Sequence, residues 1–326
     1  MYSVCTVDLN PAIVSWCPFE PYHSLLAVGT YKLDSGSQRI GCVDWFSLRD
    51  ERLEQDATSS TLSGVFRTRW ATIAGAPALL AALTSGQVAL IDVQCREDEP
   101  NFLKVSDSMA LSVDVNSTAD PRFVVVGDSC GSVGVCCLEA AAVSCSWKAH
   151  QLKYSSAAAV ELWAVRYVND NVVASGADDG LLKLWDVRTK PDACAVSTDC
   201  HSSGVTCIER HQSRPHLFLT GSYDEHVRLF DVRRIAEPLI KVPTGGGVWH
   251  LHSNEDFWLA ACMYNGCSLL ECSSSGDALK ICSSRLTTDQ HLLYGVSWCE
   301  AQPNTAAVCW FYDNLVALIR PFNDDE

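Results

Sequence analysis

Short segments in which apolar and polar residues alternate recur along the whole chain, and most of them end in a turn of small, acidic or glycine residues. The alternation is clear in VTCIER at 205–210 and LFLTGS at 217–222. A period of two places successive side chains on opposite faces of a strand, so these segments predict half-buried antiparallel strands. No long stretch carries apolar residues at helical spacing. The pattern therefore predicts an all-β protein.

Two related segments indicate that the strands form repeats. GADDGLLKLWDVR begins at Gly176, and GSYDEHVRLFDVR begins at Gly221. A period of about 40–45 residues that ends in an aromatic residue and Asp is typical of a four-stranded propeller blade. The clearest copies span 149–190, 200–234, 244–273 and 291–320, and degenerate copies begin near 12, 65 and 111. Seven copies predict one single-domain, seven-bladed β-propeller over 1–326, in which 50–62 and 140–159 are loops between blades.

Alignment of the copies brings aromatic residues into register at two positions. The position before the turn acid is occupied by Tyr31, Asp178, Tyr223, Tyr264 and Tyr312. The second position of the opening strand is occupied by Phe66, Trp163, Thr206, Trp249 and Tyr294. Equivalent positions of a radial repeat point the same way, so an aromatic, acid-flanked mouth is expected at one end of the propeller. Such a mouth attracts alkylammonium cations, and it would equally serve as a protein-binding hot spot.

The turn acids and nearby histidines divide into candidates for structural hydrogen bonds and candidates for catalysis. His150, Ser175, Asp179 and Trp185 are a full set for a buried hydrogen-bond network within a blade, and His201, Thr220 and Asp224 are nearly a second. Glu225, His226 and His250 have no such structural role and are the freer candidates for chemistry. TGGGVWH, at 244–250, offers backbone N–H groups for an oxyanion, with a flexible connection between blades as the alternative.

Composition narrows the classes of function. The chain has 39 acidic and 24 basic residues and a net charge of −15, which argues against unaided nucleic-acid binding and suits a basic protein partner. Its 17 cysteines are scattered without metal spacing, so free thiols in a reducing compartment and no metal are expected. Phosphate-binding and dinucleotide motifs are absent, so no cofactor is expected, and no apolar run of membrane-spanning length occurs. On these grounds alone, a protein–protein scaffold is one interpretation.

Several strings carry a family resemblance. GSYDEH, GGGVWH, LAACMYNG, YGVSW and WFYD, with WCP near the start, resemble the WD-repeat family of diphthine methyl ester hydrolases, although Phe230 stands where Trp is usual. The resemblance implies an enzyme of diphthamide biosynthesis that acts in the cytoplasm. Its substrate would be elongation factor 2 bearing methylated diphthine, with other proteins of the pathway as further partners. The reaction would hydrolyse the methyl ester and leave diphthine for the final amidation.

The site expected from this resemblance has two parts. The catalytic group is His226 or Glu225, oriented by Asp224. The substrate-binding residues are Tyr223, Trp163, Trp249, His250, Tyr264, Tyr294, Tyr312 and Gly246. Two alternatives remain at this stage, a non-enzymatic WD-repeat adaptor and a methyl-ammonium reader that uses the same aromatic mouth without hydrolysis.

Overall fold

A computed structural model describes residues 1–116, 120–152, 158–189, 194, 196–285 and 291–322. Every regular secondary-structure element within these ranges is a β-strand, and the strands form seven antiparallel sheets. The all-β, seven-bladed propeller expected from the repeats is therefore confirmed.

The first strand, β1 (Ser3–Thr6), precedes the first blade. Blade 1 contains β2 (Asn10–Trp16), β3 (Leu25–Leu33), β5 (Cys42–Arg49) and β6 (Arg52–Ser60), with β4 (Arg39–Ile40) paired to the end of β3. Blade 2 contains β7 (Val65–Ile73), β8 (Ala76–Leu83), β9 (Gln87–Asp92) and β10 (Asn101–Lys104). Blade 3 contains β11 (Ala110–Val115), β12 (Phe123–Asp128), β13 (Ser132–Cys137) and β14 (Ala142–Lys148).

The remaining blades follow the same order from the centre outwards. Blade 4 contains β15 (Ala164–Tyr167), β16 (Val172–Gly176), β17 (Leu182–Asp186) and β18 (Val196–Thr198). Blade 5 contains β19 (Val205–Arg210), β20 (Leu217–Ser222), β21 (His226–Asp231) and β22 (Ile240–Pro243). Blade 6 contains β23 (His250–Asn254), β24 (Phe257–Ala261), β25 (Cys267–Cys272) and β26 (Leu279–Arg285). Blade 7 contains β27 (Leu293–Trp298), β28 (Ala306–Trp310) and β29 (Leu315–Ile319), and β1 supplies its outer strand.

The expectation that 50–62 and 140–159 are connecting loops is wrong. Most of the first segment is β6, and β14 lies in the second; both are outer strands of their blades. An outer strand packs on one partner and turns its other edge to solvent, so its sequence is polar and lacks clear apolar alternation. Residues 153–157 of the second segment lie outside the described residues.

The core lies between blades. Seven apolar clusters occur in the described chain, one at each interface between neighbouring blades. Between blades 5 and 6, for example, Leu229 packs in one cluster with Leu251 and the fully buried Trp258. A side chain of that size stabilises the fold by about 2–3 kcal/mol when it is fully buried. All 17 cysteines are free thiols, many of them in this core.

A closed ring of ion pairs links the inner strands of blades 2 to 5. Arg69 lies 3.4 Å from Asp114 and 2.9 Å from Glu209. Arg166 lies 2.7 Å from Asp114 and 2.8 Å from Glu209. The two guanidinium groups and the two carboxylates balance in charge, and flanking positive charge lowers the pKa of Glu209 despite its burial.

Candidate functional site

In five blades the inner strand contains a β-bulge near the end at which the second strand turns into the third. The pairing register shifts at Ala12, Phe66, Leu111, Thr206 and Tyr294. In blades 4 and 6 the equivalent residues, Trp163 and Trp249, come directly before the first paired residue of the strand. A bulge turns the extra residue out of the alternating pattern and re-aims its side chain. The aromatic residues predicted in register therefore gather at this end, which we call the upper face.

Eight side chains form a contiguous group on the upper face, here called the aromatic cap. Its members are Tyr31, Phe66, Trp163, Tyr223, Trp249, Tyr294, Phe311 and Tyr312. Six of them close a ring in the order Tyr31, Phe66, Trp163, Trp249, Tyr294 and Phe311, with neighbouring centroids 4.7–6.3 Å apart.

Two further aromatic residues extend the ring outwards. Tyr223 packs on Trp249 at 5.8 Å, and Tyr312 packs edge-on against Phe311 at 5.1 Å. Tyr312 is 69% exposed and Tyr264 is 61% exposed. The cap thus joins an inner ring of buried and half-buried side chains to the accessible ring of Tyr312.

A pair of acids lies beside the cap. The indole N–H of Trp163 donates to Asp178 Oδ1 at 2.6 Å, and the backbone N–H of Asp178 donates to the carbonyl of Glu161 at 3.1 Å. Desolvation raises the pKa of Asp178 to about 6, and the neighbouring Glu161 carboxyl adds to this shift. Asp178 is exposed, so its carboxylate is available to a cation that stacks on the cap. Alignment placed Asp178 at this position, but the partnership with Glu161 was missed.

Arg67 lies on the inner side of the cap. Its guanidinium carbon is 5.1 Å from the centre of the Trp249 ring, and Nη2 donates to the Trp249 carbonyl at 2.8 Å. Its charge acts on the hydroxyls of Tyr31, Tyr223 and Tyr294, although burial is the dominant effect and raises the pKa of all three. Sequence reasoning missed both Arg67 and Phe311. The available signal was their position next to aligned aromatic residues.

The proposed catalytic residues lie on the turn between β20 and β21. Asp224 accepts from Arg228 Nη1 at 2.9 Å and Nη2 at 2.6 Å, and from the Ser202 backbone N–H at 2.9 Å. These donors lower the pKa of Asp224 to about 2. Glu225 is exposed and has a φ of 63°, and His226 Nδ1 donates to the Asp224 carbonyl at 2.6 Å. The turn therefore fixes one ring nitrogen of His226 and leaves Nε2 as the acceptor.

The network predicted for blade 4 is confirmed. His150 Nδ1 lies 2.9 Å from Asp179, its Nε2 lies 2.7 Å from Ser175 Oγ, and the Trp185 indole N–H donates to the same oxygen at 2.8 Å. In blade 5 the histidine still contacts its hydroxyl, with His201 Nε2 2.8 Å from Thr220. Asp224 instead takes Arg228 as its main partner, which the sequence reasoning did not foresee.

His250 and Gly246, two other predicted site residues, both lie in closely packed surroundings. His250 is buried, and desolvation lowers its pKa well below the usual value, so its ring is neutral. Gly246 packs against the turn after β24, where a Cβ atom would lie 2.4 Å from the Cys262 carbonyl oxygen. Close packing thus explains a glycine at this position.

The described residues contain no group of three or more His, Cys, Asp or Glu side chains placed to hold a metal ion. No helix among them is long and apolar enough to cross a membrane.

Comparison with known proteins gives the family. The model for "WD domain, G-beta repeat" matches 153–186 and 193–231. A protein of Mus musculus named diphthine methyltransferase is 30% identical to this chain over 94% of its length and 71% of the relative. The chain belongs to the diphthine methyltransferase family. Human and Schizosaccharomyces pombe proteins of the same name are 28% and 26% identical, covering 91% of this chain and 74% and 91% of the relatives.

A solved structure extends the fold comparison beyond this family. A chain of a mitotic checkpoint complex superposes with a TM-score of 0.75 over 98% of this chain and 91% of that one. At 15% identity, the likeness concerns the fold alone.

Proposed function

We propose that this member of the diphthine methyltransferase family hydrolyses the methyl ester of methylated diphthine on elongation factor 2. Water and the ester would give a carboxylic acid and methanol, and the acid, diphthine, would pass to the final amidation of diphthamide biosynthesis. The chain would act in the cytoplasm without a cofactor, with elongation factor 2 as its main partner and other proteins of the pathway as further ones. The observation that carries the proposal is the aromatic cap with Asp178 at its edge.

The chemistry of the substrate fits this surface. Its side chain would carry a trimethylammonium group beside the ester, and such a cation binds the faces of Trp and Tyr rings. Each ring contributes about 0.5–2 kcal/mol, depending on how far the cation is desolvated. The proposed binding residues are Trp163, Tyr223, Trp249, Tyr264, Tyr294 and Tyr312, together with His250 and Gly246.

Ester hydrolysis also needs a group that activates water. We keep His226 as the proposed general base because its Nδ1–H bond to the Asp224 carbonyl leaves Nε2 able to accept a proton. Glu225 on the same turn is the second candidate, and Asp224 would orient the turn through Arg228. Backbone N–H groups of the glycine segment 245–247 remain the proposed oxyanion donors.

The net charge of −15 supports a protein partner with a basic surface. Attraction of this kind speeds encounter and falls with salt. We therefore expect the rate of reaction with elongation factor 2 to decline as ionic strength rises.

The test incubates the purified chain with elongation factor 2 bearing methylated diphthine and follows the factor by mass spectrometry. Hydrolysis removes one CH2 unit, whereas methyl transfer to the factor would add one. An unchanged mass together with measurable binding would refute hydrolysis and favour an adaptor or a methyl-ammonium reader.

Variants then separate the two parts of the site. Trp249→Leu and Tyr294→Leu should weaken binding of the methylated factor, and unchanged affinity in both would refute the cap as the binding surface. His226→Ala should slow turnover by about 100-fold or more without loss of binding. Full turnover in both His226→Ala and Glu225→Gln would exclude this turn as the source of the base.

A further inference from the structure

Arg67 is the one charged side chain at its level of the propeller. The equivalent residues of the seven inner strands, all of them described, are Ile13, Arg67, Ser112, Ala164, Cys207, His250 and Gly295. Burial keeps the His250 ring and the Cys207 thiol neutral by lowering the pKa of the first and raising that of the second to about 12. The aromatic cap lies on one side of this level, and the charge-balanced ring of Arg69, Asp114, Arg166 and Glu209 lies on the other.

The hydrogen bonds of Arg67 use only one side of its guanidinium. Nη2 donates to the Trp249 carbonyl at 2.8 Å and the Thr206 carbonyl at 3.5 Å. Nη1 is buried and has no hydrogen-bond partner among the described residues. The Arg67 side chain also lines a cavity of about 30 Å³ that extends from Trp163 to Glu209, which is room for a single oxygen atom.

Arg69 and Arg166, on the inner strands of blades 2 and 4, have partners of a different kind from those of Arg67. Arg69 and Arg166 each contact two carboxylates, whereas Arg67 contacts neutral carbonyls and the face of Trp249. A buried cation without a counter-charge is costly, and burial accordingly lowers the pKa of Arg67. Such a cost is tolerable when a ligand supplies the missing acceptor.

We propose that Nη1 of Arg67 binds the carboxyl group of the substrate side chain, as the ester carbonyl before hydrolysis and as the carboxylate after it. This inference rests on the proposed function and divides its site into two parts. The guanidinium occupies the inner face of Trp249, so a second cation is repelled from that face and binds the outer rings near Asp178. The carboxyl group, attached to the same carbon as the ammonium, then points inward to Arg67.

The arrangement also gives Arg67 a role in the reaction. Water adds to the ester carbon and loses its proton to the base while the C=O π bond breaks, and the negative charge passes to the carbonyl oxygen. That oxygen then re-forms the double bond, the bond to methoxide breaks, and methoxide leaves as methanol with the proton from the base. A guanidinium N–H directed at this oxygen stabilises the charge as it develops and adds to the proposed backbone donors of 245–247.

Binding of small probes tests the division without requiring turnover. Trimethylglycine carries both groups, and tetramethylammonium carries the cation alone. We expect Arg67→Gln to weaken trimethylglycine binding by about 10- to 100-fold, measured by calorimetry, while tetramethylammonium binds as before or more tightly. Equal losses for both probes, or no loss for trimethylglycine, would overturn the inference.

Two variants guard against indirect effects. Arg188→Gln removes a surface charge whose side chain is 65% exposed, and it should leave both affinities unchanged. Arg67→Lys keeps the positive charge but lacks the forked donors of the guanidinium. Its affinity for trimethylglycine should therefore fall between those of the wild type and Arg67→Gln, and it tests the contact even where Arg67→Gln folds poorly. A Lys variant no better than Gln, in a folded protein, counts against a charge-assisted contact.

Turnover separates this inference from the proposed function. If the methylated factor is hydrolysed and Arg67→Gln retains wild-type kcat, the inference fails and the function stands. If no hydrolysis occurs but trimethylglycine binding depends on Arg67, the function fails and the carboxyl-binding role stands.

Discussion

The carboxylate of Asp178 should make cation binding at the aromatic cap dependent on pH. The perturbation is Asp178→Asn, which keeps the shape of the side chain and its acceptor oxygen for the Trp163 indole N–H but removes the charge. Asp178 is exposed to solvent on one side, but partial desolvation and the Glu161 carboxyl raise its pKa to about 6, so the wild-type side chain is neutral near pH 5 and ionised near pH 7.5. Binding of tetramethylammonium should therefore tighten as pH rises through about 6.

The size of the effect follows from the geometry. An ammonium stacked on Trp163 lies within about 6 Å of the ring centre, and Trp163 Nε1 holds the Asp178 oxygen at 2.6 Å. Two charges about 5–7 Å apart near the surface, at an effective dielectric constant of about 40–80, attract by about 0.6–1.7 kcal/mol. This corresponds to about a 3- to 15-fold change in Kd.

The assay is a calorimetric titration of tetramethylammonium from pH 5 to pH 8. Wild-type affinity should rise by that factor, and Asp178→Asn should bind at the weaker level throughout. Asp98→Asn, an exposed carboxylate on blade 2, is the matched control and should follow the wild-type curve. A flat wild-type profile, or a rise of equal size in Asp178→Asn, would refute the reasoning.

Unfolding experiments supply an independent check on the same group. Because the folded-state pKa of Asp178 lies above its ordinary value, the folded chain holds this proton more tightly than the unfolded chain. The contribution of Asp178 to stability therefore falls as pH rises from about 4 to about 6. We expect Asp178→Asn to raise the thermal midpoint relative to the wild type at pH 7 and not at pH 4.

Three further predictions concern the scaffold of the site. Glu209→Gln leaves two buried guanidinium groups short of a carboxylate and should cost about 3–5 kcal/mol in urea unfolding, and a loss below about 1 kcal/mol would contradict the ion-pair ring. Gly246→Ala should lower the thermal midpoint because its Cβ would lie 2.4 Å from a carbonyl oxygen. Gly134→Ala is the control, since its Cβ would have no atom within 4 Å, and it should leave the thermal midpoint unchanged. Arg228 lowers the pKa of Asp224 to about 2, so the stability from this pair is present above about pH 4 and is lost between about pH 4 and 2. In Asp224→Asn the free energy of unfolding should depend less on pH in this range, and an unchanged pH dependence would count against the pair.

The repeat made the fold and the aromatic positions predictable. A strand period of two and a fixed blade register place equivalent side chains at equivalent heights, so Trp163, Trp249 and Tyr294 could be assigned to one face without coordinates. The β-bulges at Phe66, Thr206 and Tyr294 have no sequence signal of their own in this chain. They are visible only in the pairing register.

The omissions have physical causes. Arg67 and Phe311 act through neighbours on other blades, and such contacts depend on how the blades pack rather than on the repeat. Glu161 contacts Asp178 within blade 4, but it lies in the connection before β15, outside the strands that were aligned. Asp224 and Arg228 are only four residues apart in the sequence. Their ion pair was nevertheless missed, because Arg228 takes the place of the histidine that usually pairs with the turn acid. The outer strands were missed because solvent exposure removes the apolar alternation by which strands are recognised.

The pairing of β1 with β29 has a consequence for synthesis. Blade 7 is complete only when residues from both ends of the chain meet, since Ser3–Thr6 pair with Leu315–Leu318. The closed aromatic ring likewise needs Tyr294 and Phe311 of blade 7 beside Tyr31 of blade 1. A chain that emerges from the ribosome from its amino terminus can pair the strands of the first six blades early, but it cannot assemble this ring until its last blade is made. Only a propeller whose seven blades have all been translated could then bind a cation at the intact ring.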